Sequence, residues 1–149
     1  MRFYKLFAMA ILAAFTMWHI PAYASGCALD GVVLKCSEAK SAASVAEAFA
    51  DSATREALAT PIHELNRFKH PSDLETFRKS IEKNWRQVRK AELQQRNQMR
   101  RRQISADQFE EWSKTYDAAE ATYKQALIFY RTLVWHGKNG KPPPSDSDS

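Results

Sequence analysis

Residues 100–111 read RRRQISADQFEE, a helix stop followed at once by a helix start. Arg100, Arg101 and Arg102 put positive charge where a helix C-terminus favours it. Ser105-Ala106-Asp107-Gln108 then has the capping-box form, a hydroxyl with Gln three residues later. Asp107, Glu110 and Glu111 bring negative charge to the next first turn. One uninterrupted helix from 72 to 136 would bury both signals in its middle. Together they predict an antiparallel hairpin of two helices, each about 30 residues and about 45 Å long.

The arm before this junction opens after Pro71, where Ser72-Asp73-Leu74-Glu75 is another capping box. Leu74, Phe77, Ile81, Trp85 and Val88 fall on one apolar stripe, which weakens through Glu92 and Gln95 to Met99. Lys79, Lys83, Arg86, Lys90 and Arg101 mark the opposite, basic face. Glu75 with Lys79 and Glu82 with Arg86 add i,i+4 pairs. In the second arm Phe109, Trp112, Tyr116, Ala119, Tyr123, Ala126, Tyr130 and Leu133 alternate spacings of three and four, a coiled-coil seam. The tyrosine hydroxyls need partners, and Gln94, Gln95, Asn97 and Gln98 on the facing arm could provide them. Toward its end Leu127, Ile128, Phe129, Val134 and Trp135 join the seam and surround the helix with apolar groups. Such an end requires cover on all sides, from the first helix, the hairpin or a partner chain. Gly137 reads as the C′ residue, and 138–149, with Pro142-Pro143-Pro144 and a Ser/Asp repeat, as a disordered tail.

Upstream, Ser41 to Leu58 is Ala-rich and predicts one helix with Ala42, Val45, Ala46, Phe49 and Ala53 inward. Thr60-Pro61 ends it. Ile62, Leu65 and Phe68 suggest a short helical piece before Pro71.

Residues 1–24 read as an export signal: Arg2 and Lys5, an apolar run from Leu6 to Trp18, then Pro21 and Ala22-Tyr23-Ala24 before a cleavage site. The run is shorter than the about 20 residues of a spanning helix, and nothing later is apolar for long enough. Ala24-Ser25-Gly26-Cys27 also approximates a lipobox, so a lipid anchor on Cys27 is the rival reading. Export favours a disulfide between Cys27 and Cys36, the only cysteines. A two-residue Gly31-Val32 turn places 30 opposite 33 and 27 opposite 36, on a non-hydrogen-bonded pair close enough to bridge. An Asp30-Gly31 turn would instead misalign the cysteines.

The organisation expected is therefore a signal at 1–24, a disulfide-closed segment at 25–40, a helical domain at 41–137 and a tail. The fold class is all-α: a long helical hairpin plus a shorter N-terminal helix, preceded by a small β-hairpin or loop. The 149 residues suffice for one domain, and 44% hydrophobic content is too high for a wholly disordered chain. With only 4 Gly, phosphate-cradling loops are disfavoured. The net charge of +5 falls to +3 once Arg2 and Lys5 are removed, leaving 20 basic and 17 acidic residues.

No catalytic residue, metal or cofactor is assigned. His63-Glu64 begins like H-E-x-x-H, but the fifth position is Arg67. His63, His70 and His136 lack ligand spacing, and Cys-x8-Cys is not a redox spacing. Between Arg78 and Arg102 ten Lys or Arg stand against two Glu, net +8. A solvated face accounts for such a run, and an acidic partner or an anionic envelope polymer is the functional reading. Export and the lack of interleaved aromatics argue against nucleic acid.

Ile104-Ser105-Ala106-Asp107-Gln108 resembles the L-T-x-x-Q motif of Spy-like periplasmic chaperones, departing at Ile104 and Ser105. Capping alone accounts for Ser105 and Gln108. The resemblance implies a chaperone or inhibitor that captures clients on the basic face. The principal expectation is a periplasmic or secreted, non-enzymatic interaction protein, an accessory subunit of a bacterial envelope, secretion or conjugation system. It would bind a protein partner, or itself, through the basic face and through Leu127, Ile128, Phe129, Val134 and Trp135.

Overall fold

The computed structural model describes residues 26–36, 39–59 and 67–139. The segment 1–24 read as an export signal, residues 60–66 and the segment from 140 onward read as a tail lie outside them. Strands β1 (Cys27–Asp30) and β2 (Val33–Cys36) form an antiparallel hairpin. Helices α1 (Ala42–Ala50), α2 (Ser52–Ala59), α3 (Pro71–Arg100) and α4 (Ala106–Asn139) follow. The long helices α3 and α4 pack together, and α1 lies against both. No helix among the described residues is long and apolar enough to cross a membrane.

The β-hairpin has the expected register, with Cys27 opposite Cys36 and Asp30 opposite Val33. Gly31 takes φ 62°, the left-handed conformation that favours Gly at the first turn position. Cys27 and Cys36 form the disulfide. A sulfur in that bond carries no lipid, so this structure and the lipid-anchor reading of Cys27 exclude each other. The outer edge of β2 is closed by α3: the Leu34 N–H donates to Ser80 Oγ (2.9 Å) and the Leu34 carbonyl accepts from Asn84 Nδ2 (2.9 Å). The Cys27 N–H donates to Thr54 Oγ1 (2.8 Å), whose hydroxyl donates to the Ala48 carbonyl (3.0 Å). Gly26 lies so near that a Cβ there would stand 2.8 Å from Thr54 Oγ1. Side chains thus satisfy strand-edge groups that a two-stranded sheet leaves open.

The single helix expected from Ser41 to Leu58 is two helices. Asp51 adopts an extended conformation, and its Oδ1 accepts from the Ala53 N–H (2.9 Å), starting α2 afresh. The break changes the inward face: Thr54 and Leu58 are buried, whereas Ala53 is exposed. α3 starts two residues earlier than expected. Pro71 is its first residue, and Asp73 Oδ2 accepts from the Lys69 and His70 N–H groups (3.1 and 3.0 Å). Asp73, not Ser72, therefore provides the cap. At the other end α4 runs through Gly137 to Asn139, so Gly137 is not its C′ residue.

The α3–α4 turn forms as both signals require. Ser105 Oγ accepts from the Gln108 N–H (3.1 Å) and Gln108 Oε1 from the Ser105 N–H (2.9 Å). α3 closes with the Gln103 N–H donating to the Gln98 carbonyl (2.8 Å) and the Arg102 N–H to the Met99 carbonyl (2.9 Å). This is a Schellman closure with Arg102 at C′. Arg102, φ 58°, is the one non-glycine residue with positive φ among the described residues. Glycine holds that conformation at lower cost. Arg102→Gly is expected to raise stability by about 0.5–1 kcal/mol in urea unfolding, at unchanged slope.

The core gathers Phe49, Phe77, Ile81, Val88, Ala119, Ala126, Phe129 and Leu133 with Leu34 and Cys27. Phe77 and Phe129 pack edge to face at 5.4 Å between centroids, and Phe68 meets both, at 5.4 and 6.1 Å. The tyrosines of the α4 seam sit at the border of this core, half-buried. Trp85 of α3 stacks on Tyr123 at 4.4 Å and leans on Tyr116 at 5.8 Å. The Tyr116 hydroxyl accepts from Arg89 Nη1 (3.1 Å), so Arg89, not the Gln94–Gln98 segment, meets it.

Candidate functional site

At about 100° per residue, the inward face of α3 is set by Phe77, Ile81, Val88 and Ala91. Lys79, Lys83, Arg86 and Lys90 then fall on the side turned away from the core, and each is exposed. Arg101, also exposed, continues the row at the C-cap. Lys79 and Arg86 make loose ion pairs with Glu75 and Glu82, both at 3.7 Å. Lys83 and Lys90 have no ion-pair partner among the described residues. Exposed pairs of this kind contribute little to stability, so the face retains most of its field.

A second row of cations borders the aromatic flank of α4. Arg78 pairs with Glu75 (2.7 Å) and with Glu82. Its hydrogen bonds hold the Glu75 carboxyl below its ordinary pKa. Arg89 is held above its ordinary pKa, chiefly by the hydrogen bond to Tyr116. Arg96 binds Glu92 at 2.7 Å. Glu92 is itself buried, so its carboxylate anchors Arg89 and Arg96 from beneath. Leu93 projects beside these groups and is 58% exposed.

The stripe pattern alone does not distinguish Arg78, Arg89, Arg96 and Leu93. The available signal was Leu93 itself, an apolar residue off the inward stripe with cations three or four positions away on either side.

The five apolar residues at the end of α4 lie around the helix, and the chain's own core covers only part of them. Phe129 is 1% exposed and belongs to the chain's own core. Its ring is unreachable by a partner unless the core opens. Ile128 and Trp135, seven residues apart, lie on the outer side of α4; Ile128 is 53% exposed and Trp135 half-buried. Leu127 and Val134 are half-buried on the flank that carries Tyr116 and Tyr123. Val134 opens into a cavity of about 310 Å³, whose walls include Phe68, Leu74, Leu133, His70 and His136. Among the described residues no three His, Cys, Asp or Glu side chains converge as metal ligands.

No protein-family model matches this chain, and no curated protein or solved structure does. The functional reading therefore stands on the geometry above.

Proposed function

We propose that the chain is an exported, non-enzymatic helical interaction protein, an accessory subunit of a bacterial envelope assembly of the secretion or conjugation kind. The carrying observation is the outward face of α3. It is an exposed row of cations, Lys79, Lys83, Arg86, Lys90 and Arg101, backed by a packed aromatic core, with the exposed Leu93 beside it. A row of this kind favours recognition of an acidic surface through charge complementarity. The disulfide supports an oxidising compartment, and the Leu6 to Trp18 run supports export.

The test is site-specific photo-crosslinking in the native envelope from Lys83 on the α3 face, with Asp107 as a control position. A discrete partner band from 83 and none from 107, weakening as salt rises, is the expected result. A broad smear of many clients from the same position would favour the Spy-like chaperone reading. Recovery of the chain in the cytosol with Met1 attached and free thiols would end the export proposal.

A further inference from the structure

Leu93 and Ile128 are the large apolar side chains most open to solvent among the described residues. Leu93 has the denser set of cations, with Arg89, Lys90 and Arg96 three or four residues away, against Lys124 and Arg131 for Ile128. Leu93 lies on an open patch of α3 with Arg86, Arg89, Lys90, Glu92 and Arg96. Arg89, Lys90 and Arg96 are four and three residues before Leu93 and three after it, so they adjoin it on the helix surface, and Arg86 lies two turns back on the same side. Arg89 and Arg96 are pinned by the buried Glu92 at 3.6 and 2.7 Å, and Arg86 leans on Glu82 at 3.7 Å. Lys90 has no ion-pair partner among the described residues.

We propose that this patch binds an acidic amphipathic segment of a partner protein, with an apolar side chain on Leu93 and carboxylates on Arg86, Lys90 and Arg96. The inference rests on the reading of α3 as a protein-binding face and specifies the partner's chemistry. Charge complementarity selects an anionic occupant. Leu93 then selects among anions. A phosphate polymer or an acidic glycan satisfies the cations but leaves the leucine in water. A helix carrying Glu or Asp around one Leu covers both, by packing its own face against that of α3.

The probe is a fluorescein-labelled helical peptide of about 20 residues, with Glu at i,i+3/i+4 spacing around one central Leu. Its partner peptide has Gln in place of that Leu at equal charge. Binding to the disulfide-intact chain is read by anisotropy at low salt. The Leu peptide should bind about tenfold more tightly than the Gln peptide, the scale expected for covering one exposed leucine. Leu93→Ser should remove that preference while leaving the Gln peptide and the thermal midpoint unchanged. Lys90→Gln should weaken both peptides equally.

Equal binding of the two peptides, no binding of either, or no effect of Leu93→Ser overturns the proposal. Inorganic polyphosphate or duplex DNA binding as tightly as the Leu peptide overturns it in favour of a charge-only surface. Self-association of the chain that Leu93→Ser abolishes overturns it in favour of a second copy as occupant. A discrete crosslinked band from Lys83 in the envelope would survive any of these results, so the broader reading fails separately.

Discussion

Phe77→Ala is expected to cost about 3–5 kcal/mol, a large part of the about 5–15 kcal/mol that holds a domain folded. Phe77 is fully buried, and its ring meets Phe68 from the inter-helix segment and Phe129 from α4, each at 5.4 Å. Removing it takes away the transfer free energy of a phenyl group and leaves a void where three elements meet. The neighbours cannot collapse into that void without moving α3 against α4. Thermal unfolding followed at 222 nm should show the midpoint lowered by at least about 10 °C. Phe109→Ala is the matched control. Phe109 is half-buried near the start of α4 and stacks on Trp112 at 6.3 Å. It should cost only about 1 kcal/mol. Equal losses from the two variants would mean that the core does not lie where the packing puts it.

The same triad shows which parts of this fold can be seen in the chain itself. Helix limits set by local chemistry are legible: Ser105 and Gln108 cap one another, and Cys27 faces Cys36, because each depends on a few neighbouring residues. Asp51 is equally local, yet an Ala-rich run with continuous helical spacing hides the break it makes. Asp73 displaces Ser72 as the cap because its carboxylate reaches two N–H groups at once, with Pro71 already holding the first helical turn.

What the spacing cannot show is which flank of a helix is left uncovered. Phe129 and Ile128 are adjacent and both apolar, and only the position of the other helices makes one core and the other surface. The basic residues of α3 are visible as a row. The ion pairs to Glu75, Glu82 and Glu92 all lie within α3, whereas which row borders the aromatic flank depends on where α4 lies. The partner for the Tyr116 hydroxyl is a similar case. Several residues of α3 could have reached it, and the relative shift of the two helices selects Arg89.

Reducing the Cys27–Cys36 disulfide is expected to destabilise the chain by about 2–3 kcal/mol while leaving its helical content unchanged. The bond closes a loop of sequence separation 9, so the unfolded chain regains only a modest amount of entropy when it opens. The native hairpin has further supports. Ser80 and Asn84 hold Leu34 from one side, and Thr54 holds Cys27 from the other. Leu34 is itself 2% exposed in the shared core. Those contacts should keep the strands docked on α3 without the sulfur bridge, because none of them passes through it. Urea unfolding with and without dithiothreitol measures the difference, and ellipticity at 222 nm before unfolding reports the helices. The Cys27→Ala, Cys36→Ala double variant should be insensitive to the reductant and match the reduced chain to within about 1 kcal/mol, the scale of the buried sulfur it loses. If reduction instead erased the helical signal, the hairpin would be the element on which α3 and α4 depend. The packing of Phe77 against Phe129 would then be insufficient to hold the two long helices together.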